Sequence, residues 1–214
     1  MSDSELPHLN ALEVRVLGCL MEKQLLTPDV YPLTLNALQS ATNQKTSREP
    51  VMALEQADIN RTLKSLEEKG LARRMMASRV DRYEQTASRA FSLTTPQSAL
   101  IAMLLLRGPQ TLNELQTRTD RMADFGPADA VCTELDMLVG KRPPLVKEIG
   151  RGPGQREDRY AHLLAGDVDA SSIPAPSARA AAPAGSALSD LETRVRHLEE
   201  ELAALKARLD AVGG

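Results

Sequence analysis

The chain has 214 residues, a formal net charge of −3 at pH 7 and 42% hydrophobic residues, of which few are aromatic. This length allows one or two small domains, and the scarcity of aromatic rings argues against the stacking surfaces with which most RNA-binding and single-strand-binding modules hold bases. The amino terminus lacks a signal-peptide pattern and the longest apolar run, residues 99–106, is too short to cross a bilayer, so we expect a cytoplasmic protein without membrane contact.

Three helices and a β-hairpin are predicted in the first part of the chain. Apolar residues recur at helical spacing from Leu9 to Leu20, which predicts the first helix. The second helix is predicted to start after Thr34, a suitable N-cap, and the third to run from near Glu55 to a stop at Gly70. The apolar period then changes to two, which predicts strands over residues 71–76 and 80–86.

The same order of elements recurs later in the chain. TLNAL at 34–38 returns as TLNEL at 111–115, and RVDRY at 79–83 returns as REDRY at 156–160, with the same separation between the two members of each pair. Two matches in one register indicate a duplicated unit. In the second copy Thr111 and Glu114 have the spacing of a capping box, in which each side chain bonds a free backbone N–H at the start of a helix.

The third helices are related by a shorter separation. Val131, Leu135 and Leu138 in the second copy match the apolar residues Ile59, Leu63 and Leu66 of the first, in a register that differs by five positions from that of the repeated phrases. The first copy therefore has five extra residues before its third helix, and the second copy has five after it, where strands are predicted at 145–149 and 158–163. Two copies of three helices and a hairpin predict a mainly α protein with small β-hairpins (α+β), built from tandem winged-helix domains over residues 8–92 and 93–165.

The composition changes after residue 165. Residues 166–187 are small and rich in Ala and Pro, which predicts a disordered linker. Over residues 188–212 apolar residues alternate steps of three and four, which predicts a coiled-coil helix and a parallel homodimer, with a single helix folded back on the domains as the alternative. The predicted dimerisation seam consists of Leu188, Leu191, Val195, Leu198, Leu202, Leu205 and Leu209.

Three stretches carry a resemblance to a known family. YPLTLNALQSATNQKTSREPVM at 31–52, with LLLRGPQTLNEL and DRYAHLL further on, resembles the YceH-like family of bacterial proteins, which implies a tandem winged-helix fold over residues 8–165. The resemblance implies no established activity. Where that family usually has a cysteine before Asn-Gln-Lys, this chain has Thr42, which argues against a role for a thiol there.

No group of residues predicts an enzyme, a cofactor or a metal site. Cys19 and Cys132 are far apart in the chain, and neither has a second cysteine or a histidine at ligand spacing. We interpret both as small apolar residues on helix faces. The glycine-rich residues 151–155 lack the Gly-Lys-Ser/Thr ending of a phosphate loop, so we interpret them as the tip of the second hairpin.

Winged helices most often bind duplex DNA through the third helix and the hairpin, called the wing, and the charges of this chain both oppose and favour that function. Basic and acidic residues balance over residues 1–93, with 12 of each, and over residues 94–166, with 9 of each. DNA-binding domains are commonly basic. Both hairpins, however, are locally basic: residues 71–91 hold five basic and two acidic side chains, and residues 141–160 hold six and three.

We therefore predict a DNA-binding regulator or chromosome-associated protein that uses its first domain. Base and backbone contacts are expected from Gln56, Asn60, Arg61 and Lys64 on the third helix, and phosphate contacts from Lys45, Arg48, Arg73, Arg74, Arg79 and Arg82. The second copy's third helix carries Asp129, Glu134 and Asp136 with no basic residue before Lys141, so we expect it to contact a protein or to support the first domain. The alternative is an adaptor that binds another protein and no DNA.

Overall fold

The computed structural model describes residues 6–76, 80–126, 130–150 and 157–168. Over these residues the protein is mixed α/β, with seven α-helices and two small antiparallel sheets. None of the described helices has the length and apolar character needed to cross a membrane. The predicted coiled coil and most of the predicted linker lie outside the described residues.

The first copy contains every element predicted for it. Its helices are α1 (Ala11–Leu26), α2 (Leu35–Thr42) and α3 (Gln56–Glu68), and its strands are β1 (Leu33–Thr34), β2 (Ala72–Met75) and β3 (Arg82–Gln85). Asn10 caps α1 in a full capping box with Glu13, and the Thr34 hydroxyl caps α2 by accepting a hydrogen bond from Ala37 N at 3.2 Å. The predicted N-cap of α2 is thus confirmed.

A short helix, α4 (Ala87–Ala90), leads into the second copy. This copy consists of α5 (Thr95–Arg107), β4 (Gln110–Thr111), α6 (Leu112–Thr119), α7 (Ala130–Val139), β5 (Val146–Ile149) and β6 (Arg159–His162). The predicted capping box is confirmed, because the Thr111 hydroxyl accepts from Glu114 N and the Glu114 carboxylate accepts from Thr111 N.

The two sheets explain why two phrases recur in the sequence. Each sheet has three strands, in the orders β1-β3-β2 and β4-β6-β5, and Thr34 lies opposite Arg82 just as Thr111 lies opposite Arg159. The repeated TLN and DRY phrases are therefore strand partners within each copy. The prediction of two-stranded hairpins missed β1 and β4, because two residues are too few to show an alternating pattern.

Both copies belong to one compact unit, Met1–Ile173, and one hydrophobic core runs through them. Helices α1 and α5 pack so closely that a Cβ atom on Gly18 would lie 2.9 Å from Leu106 Cγ. The backbone N–H of Leu9 donates to Leu164 O at 2.7 Å, which joins the two ends of the described chain. The duplicated units thus share a core and are not two separate bodies joined by a linker.

Candidate nucleic-acid interface

The outer face of α3 is polar, and two of its predicted contact residues are unengaged. Ile59, Leu63 and Leu66 are fully buried on its inner face. Asn60 and Lys64 are exposed on the outer face and form no hydrogen bond or ion pair with any described residue. Their side chains are therefore available to a ligand without the loss of an internal contact.

Two further predicted residues of α3 are exposed but bonded. The Arg61 side chain is 77% exposed and its Nη2 lies 2.5 Å from Asp58 Oδ1. Gln56 Nε2 donates to Asn36 Oδ1 at 2.6 Å and to Gln39 Oε1 at 3.2 Å. Gln56 thus ties the start of α3 to α2, and it would have to exchange these bonds in order to contact a base.

The loop before α3 corrects one prediction. Lys45 is exposed, as phosphate contact requires, but the Arg48 side chain is completely buried. Its Nη1 and Nη2 bond the two carboxylate oxygens of Glu22 at 3.0 and 2.6 Å, and its Nε donates to Ala41 O at 3.1 Å. Burial lowers the pKa of Arg48, but the bonds to Glu22 outweigh this and raise it. Arg48 is therefore a buried anchor of the loop, and the prediction that it contacts phosphate is wrong.

The β2–β3 hairpin exposes its arginines, but each described one is engaged. Arg73 is 58% exposed and pairs across the strands with Glu84, and Arg74 is 52% exposed and lies 3.5 Å from Asp81. Arg82 Nη1 donates to Pro32 O at 2.8 Å. Arg79 lies outside the described residues.

Arg82 has an equivalent bond in the second copy. Arg159, its match in the repeated phrase, donates from Nη1 to Pro109 O at 3.0 Å, and Pro109 matches Pro32 in the same register. The arginine of the repeated DRY phrase thus holds the chain just before the first strand in both copies. The repeat itself was the signal for this structural role, and phosphate contact by the exposed Arg82 stays a prediction.

The third helix of the second copy presents a different surface. Val131, Leu135 and Leu138 are buried as predicted, while Met137 and Val139 are 54% and 38% exposed. Asp136 is exposed at the position that matches Lys64 in α3. Glu134 accepts a hydrogen bond from Gln97 Nε2 at 2.8 Å, and Asp129 lies outside the described residues. This face is acidic and apolar, whereas α3 exposes Asn60, Arg61 and Lys64 along with the acidic Glu68.

A buried polar cluster on α1 was not predicted. Arg15 is 1% exposed, and it donates to Thr42 O at 3.3 Å and to Pro50 O at 2.5 Å. Cys19 is buried beside it, and burial raises the pKa of this thiol to about 11. Arg15, Cys19 and Glu22 lie at spacings of four and three on one helix face. Buried arginines thus hold the loop over residues 43–55 on α1. In the sequence, the spacing of these three residues along one helix face was the available signal for the cluster.

The comparisons with known proteins agree with the family resemblance. A family model described as "Protein of unknown function, DUF480" matches residues 9–155. The UPF0502 protein mll4256 of Mesorhizobium japonicum is 61% identical over 98% of this chain and 99% of the relative. The UPF0502 protein XAC4278 of Xanthomonas axonopodis pv. citri is 49% identical over 97% of this chain and 96% of the relative.

A bacterial family of unknown function is the class that these matches define. The chain belongs to the DUF480/UPF0502 family. This confirms the resemblance to the YceH-like proteins that the sequence carries.

Proposed function

We propose that each copy is a winged helix and that the protein binds duplex DNA through the first copy. The order helix, short strand, two helices and two strands supports this fold, as does a sheet in which the short strand lies beside the last one. In such a fold the third helix enters the major groove and the hairpin lies along the backbone. For this chain those elements are α3 and β2–β3.

The observation that carries the proposal is the exposed polar face of α3, on which Asn60 and Lys64 are unengaged and Arg61 has only an exposed ion pair. An asparagine amide matches the donor and acceptor of adenine in the major groove, and an arginine matches the two acceptors of guanine. Asn60 and Arg61 offer these groups at adjacent exposed positions. Lys64 and Lys45, which have no partner among the described residues, add two charges for phosphate contact.

The paired arginines of the hairpin are compatible with DNA binding but weaken it. An exposed ion pair contributes only about 0–1 kcal/mol, so Arg73 can leave Glu84 for a phosphate at small cost. Each exchange nevertheless leaves a carboxylate close to the DNA backbone. We therefore propose modest affinity with a strong dependence on salt.

The experiment is a titration of mixed-sequence duplex DNA, followed by fluorescence anisotropy over a series of salt concentrations. Double replacement of Arg73 and Arg74 by Gln removes two phosphate contacts and should flatten the plot of log K against log salt by about two units. Arg142→Gln, at an exposed arginine of the second copy, is the control and should leave the slope unchanged. Failure of the intact chain to bind duplex DNA, or an unchanged slope in the double variant, would contradict the proposal.

A second candidate function rests on α7. The exposed Met137 and Val139 beside Asp136 form a small apolar and acidic surface, which suits contact with a basic amphipathic segment of another protein. An adaptor of this kind needs no DNA. The salt series separates the two candidates, because an adaptor shows no saturable duplex binding.

For the tail we propose a parallel homodimer through residues 188–212. The heptad pattern of the sequence supports it. Two DNA-binding units joined at their carboxyl-terminal ends would reach separated sites with a raised effective concentration. A chain that ends at Gly166 should therefore be a monomer by light scattering, whereas the full chain is a dimer. A dimeric truncated chain would show that dimerisation occurs elsewhere.

A further inference from the structure

Helices α1, α5 and α6 end beside one cavity, which we call the inter-copy pocket. It has a volume of about 360 Å³ and its walls come from both copies. Four basic side chains line it, namely Lys23, Arg107, Arg118 and Arg121, against one acidic side chain, Glu22. Met103 and Met122 supply apolar surface. The lining is therefore mainly basic, with apolar surface beside the charged groups.

The single acidic group of the pocket is already engaged. Glu22 bonds Arg48 at 2.6 Å and lies 3.3 Å from Lys23. Glu22 therefore does not balance the arginines contributed by the second copy.

Those arginines are only partly satisfied. Arg118 donates to Gln110 Oε1 at 2.5 Å and to Glu114 Oε1 at 3.3 Å. The side chains of Arg107 and Arg121 form no hydrogen bond or ion pair with any residue that the structure describes, and Arg107 Nε is buried without an acceptor. A buried donor without a partner is costly, and a bound anion would remove that cost.

Helix polarity favours three of these basic side chains at their positions. Lys23, Arg107 and Arg118 each lie in the last turn of a helix, where a basic side chain favours the negative end of the helix dipole. None of the three, however, bonds a terminal carbonyl of its own helix within the described chain.

The charges around Arg107 come from several elements. Burial lowers the pKa of Arg107, and the nearby Arg118 and Arg48 act in the same direction, while Glu49 and Glu114 oppose them. Arg107 thus lies near two other arginines as well as two carboxylates.

We propose that the inter-copy pocket binds a small phosphate-bearing anion. Guanidinium groups present several N–H donors in a plane and match phosphate oxygens in pairs, which makes phosphate the anion that several arginines bind best. The volume lies at the lower end of the range of about 300–1,000 Å³ found for small-molecule sites. Because Lys23 belongs to the first copy and the arginines to the second, the ligand would bridge the two copies. The pocket does not depend on DNA binding by α3.

The test uses pyrophosphate as the probe and the full chain as the protein, with binding measured by isothermal titration calorimetry. The intact chain should bind one pyrophosphate per chain. Arg107→Gln and Arg121→Gln together should weaken this binding at least about tenfold, the effect expected for one lost charged hydrogen bond or more. Arg89→Gln, at an exposed arginine outside the pocket, should bind pyrophosphate as the intact chain does.

A single variant protects the test from misfolding. Arg121 is exposed, so Arg121→Gln alone should fold normally and still weaken binding, with folding checked by circular dichroism. Equal binding by the intact chain and the double variant would overturn the proposal, as would the absence of pyrophosphate binding.

A duplex DNA titration of the double variant identifies the source of the phosphate. Unchanged duplex affinity together with weakened pyrophosphate binding supports a small ligand. If the double variant loses duplex affinity and the intact chain does not bind pyrophosphate, the pocket contacts the DNA backbone and the proposal of a small ligand is overturned.

Discussion

Helices α3 and α7 occupy matching positions in the two copies, bury matching apolar residues and expose different chemistry. Ile59, Leu63 and Leu66 correspond to Val131, Leu135 and Leu138 in one constant register, and all six are at most 2% exposed. On the outer face Lys64 is replaced by Asp136. The comparison shows that packing fixes the apolar residues of both helices, while their exposed residues can differ without a change in the core.

The loops before α3 and α7 also differ between the two copies. In the first copy, Arg48 reaches from the longer loop to Glu22 on α1 inside the protein. The second copy has five fewer residues at this point, and the structure describes it only as far as Gly126. The longer loop of the first copy is therefore fixed to α1 by the buried pair of Arg48 and Glu22, which we call the loop anchor, just before α3 begins.

The largest effect is expected from a variant that breaks this anchor. Glu22→Gln removes the carboxylate and leaves the Arg48 charge buried without a counter-charge, which should cost about 3–5 kcal/mol of unfolding free energy in urea denaturation. The matched control is Glu84→Gln, which removes an exposed partner of Arg73 and should cost less than about 1 kcal/mol. Similar losses in the two variants would show that the buried pair is not an anchor.

The next prediction compares two matching strand residues, Gln85 and His162. Gln85 is fully bonded through Gln24 and Ser88, whereas His162 is buried with Nδ1 unpartnered. Burial lowers the pKa of His162 from 6.5 to about 4. As the pH falls below 6.5, the unfolded chain takes up a proton that the folded chain refuses, so this residue destabilises the fold progressively down to about pH 4.

The loss of unfolding free energy due to His162 should approach about 3 kcal/mol at pH 4. It is measured by following the unfolding free energy as a function of pH, where it appears as an added slope below pH 6.5. His162→Gln places the residue of the first copy in the second and should remove this part of the slope. Glu13 remains as a separate acid-sensitive group. Burial raises the pKa of Glu13, but hydrogen bonds from Lys69 and Ser65 outweigh this and hold it below 4.5. An identical slope in His162→Gln would contradict the assignment.

The smallest expected effect concerns the hairpin of the first copy. Glu84→Gln releases Arg73 from its ion pair and removes a carboxylate that a DNA phosphate would repel. Duplex affinity should therefore rise a few-fold, in line with the fraction of a kcal/mol carried by an exposed pair. A fall in affinity would indicate that the pair, and not the free arginine, forms the binding surface.

Local signals in the sequence predicted much of the fold. Thr34, Thr111 and Glu114 act as caps through contacts within three residues, so their spacing alone was sufficient. Strands β1 and β4 were missed because their pairing partners lie about 50 residues away and the strands are only two residues long.

Candidate site residues were harder to predict, because burial is decided by distant partners. Arg48 and Lys45 have the same charge and lie in the same loop, yet Arg48 is buried by Glu22, 26 residues earlier in the chain. Arg82 is engaged by the carbonyl of Pro32, 50 residues earlier. A comparison of the repeats also could not predict that α1 and α5 pack together in a core shared by the two copies.

We propose that the first copy, and not the second, contacts DNA through its third helix. Lys64→Asp gives α3 the charge found at the matching position of α7, and Arg142→Asp makes the same change of net charge on the second copy. Both residues are exposed, so both variants should fold. In duplex titrations over a salt series, Lys64→Asp should reduce affinity and flatten the salt slope by about one unit, while Arg142→Asp leaves the slope unchanged. Equal slopes for Lys64→Asp and the intact chain, or an equal flattening by the two variants, would contradict the account.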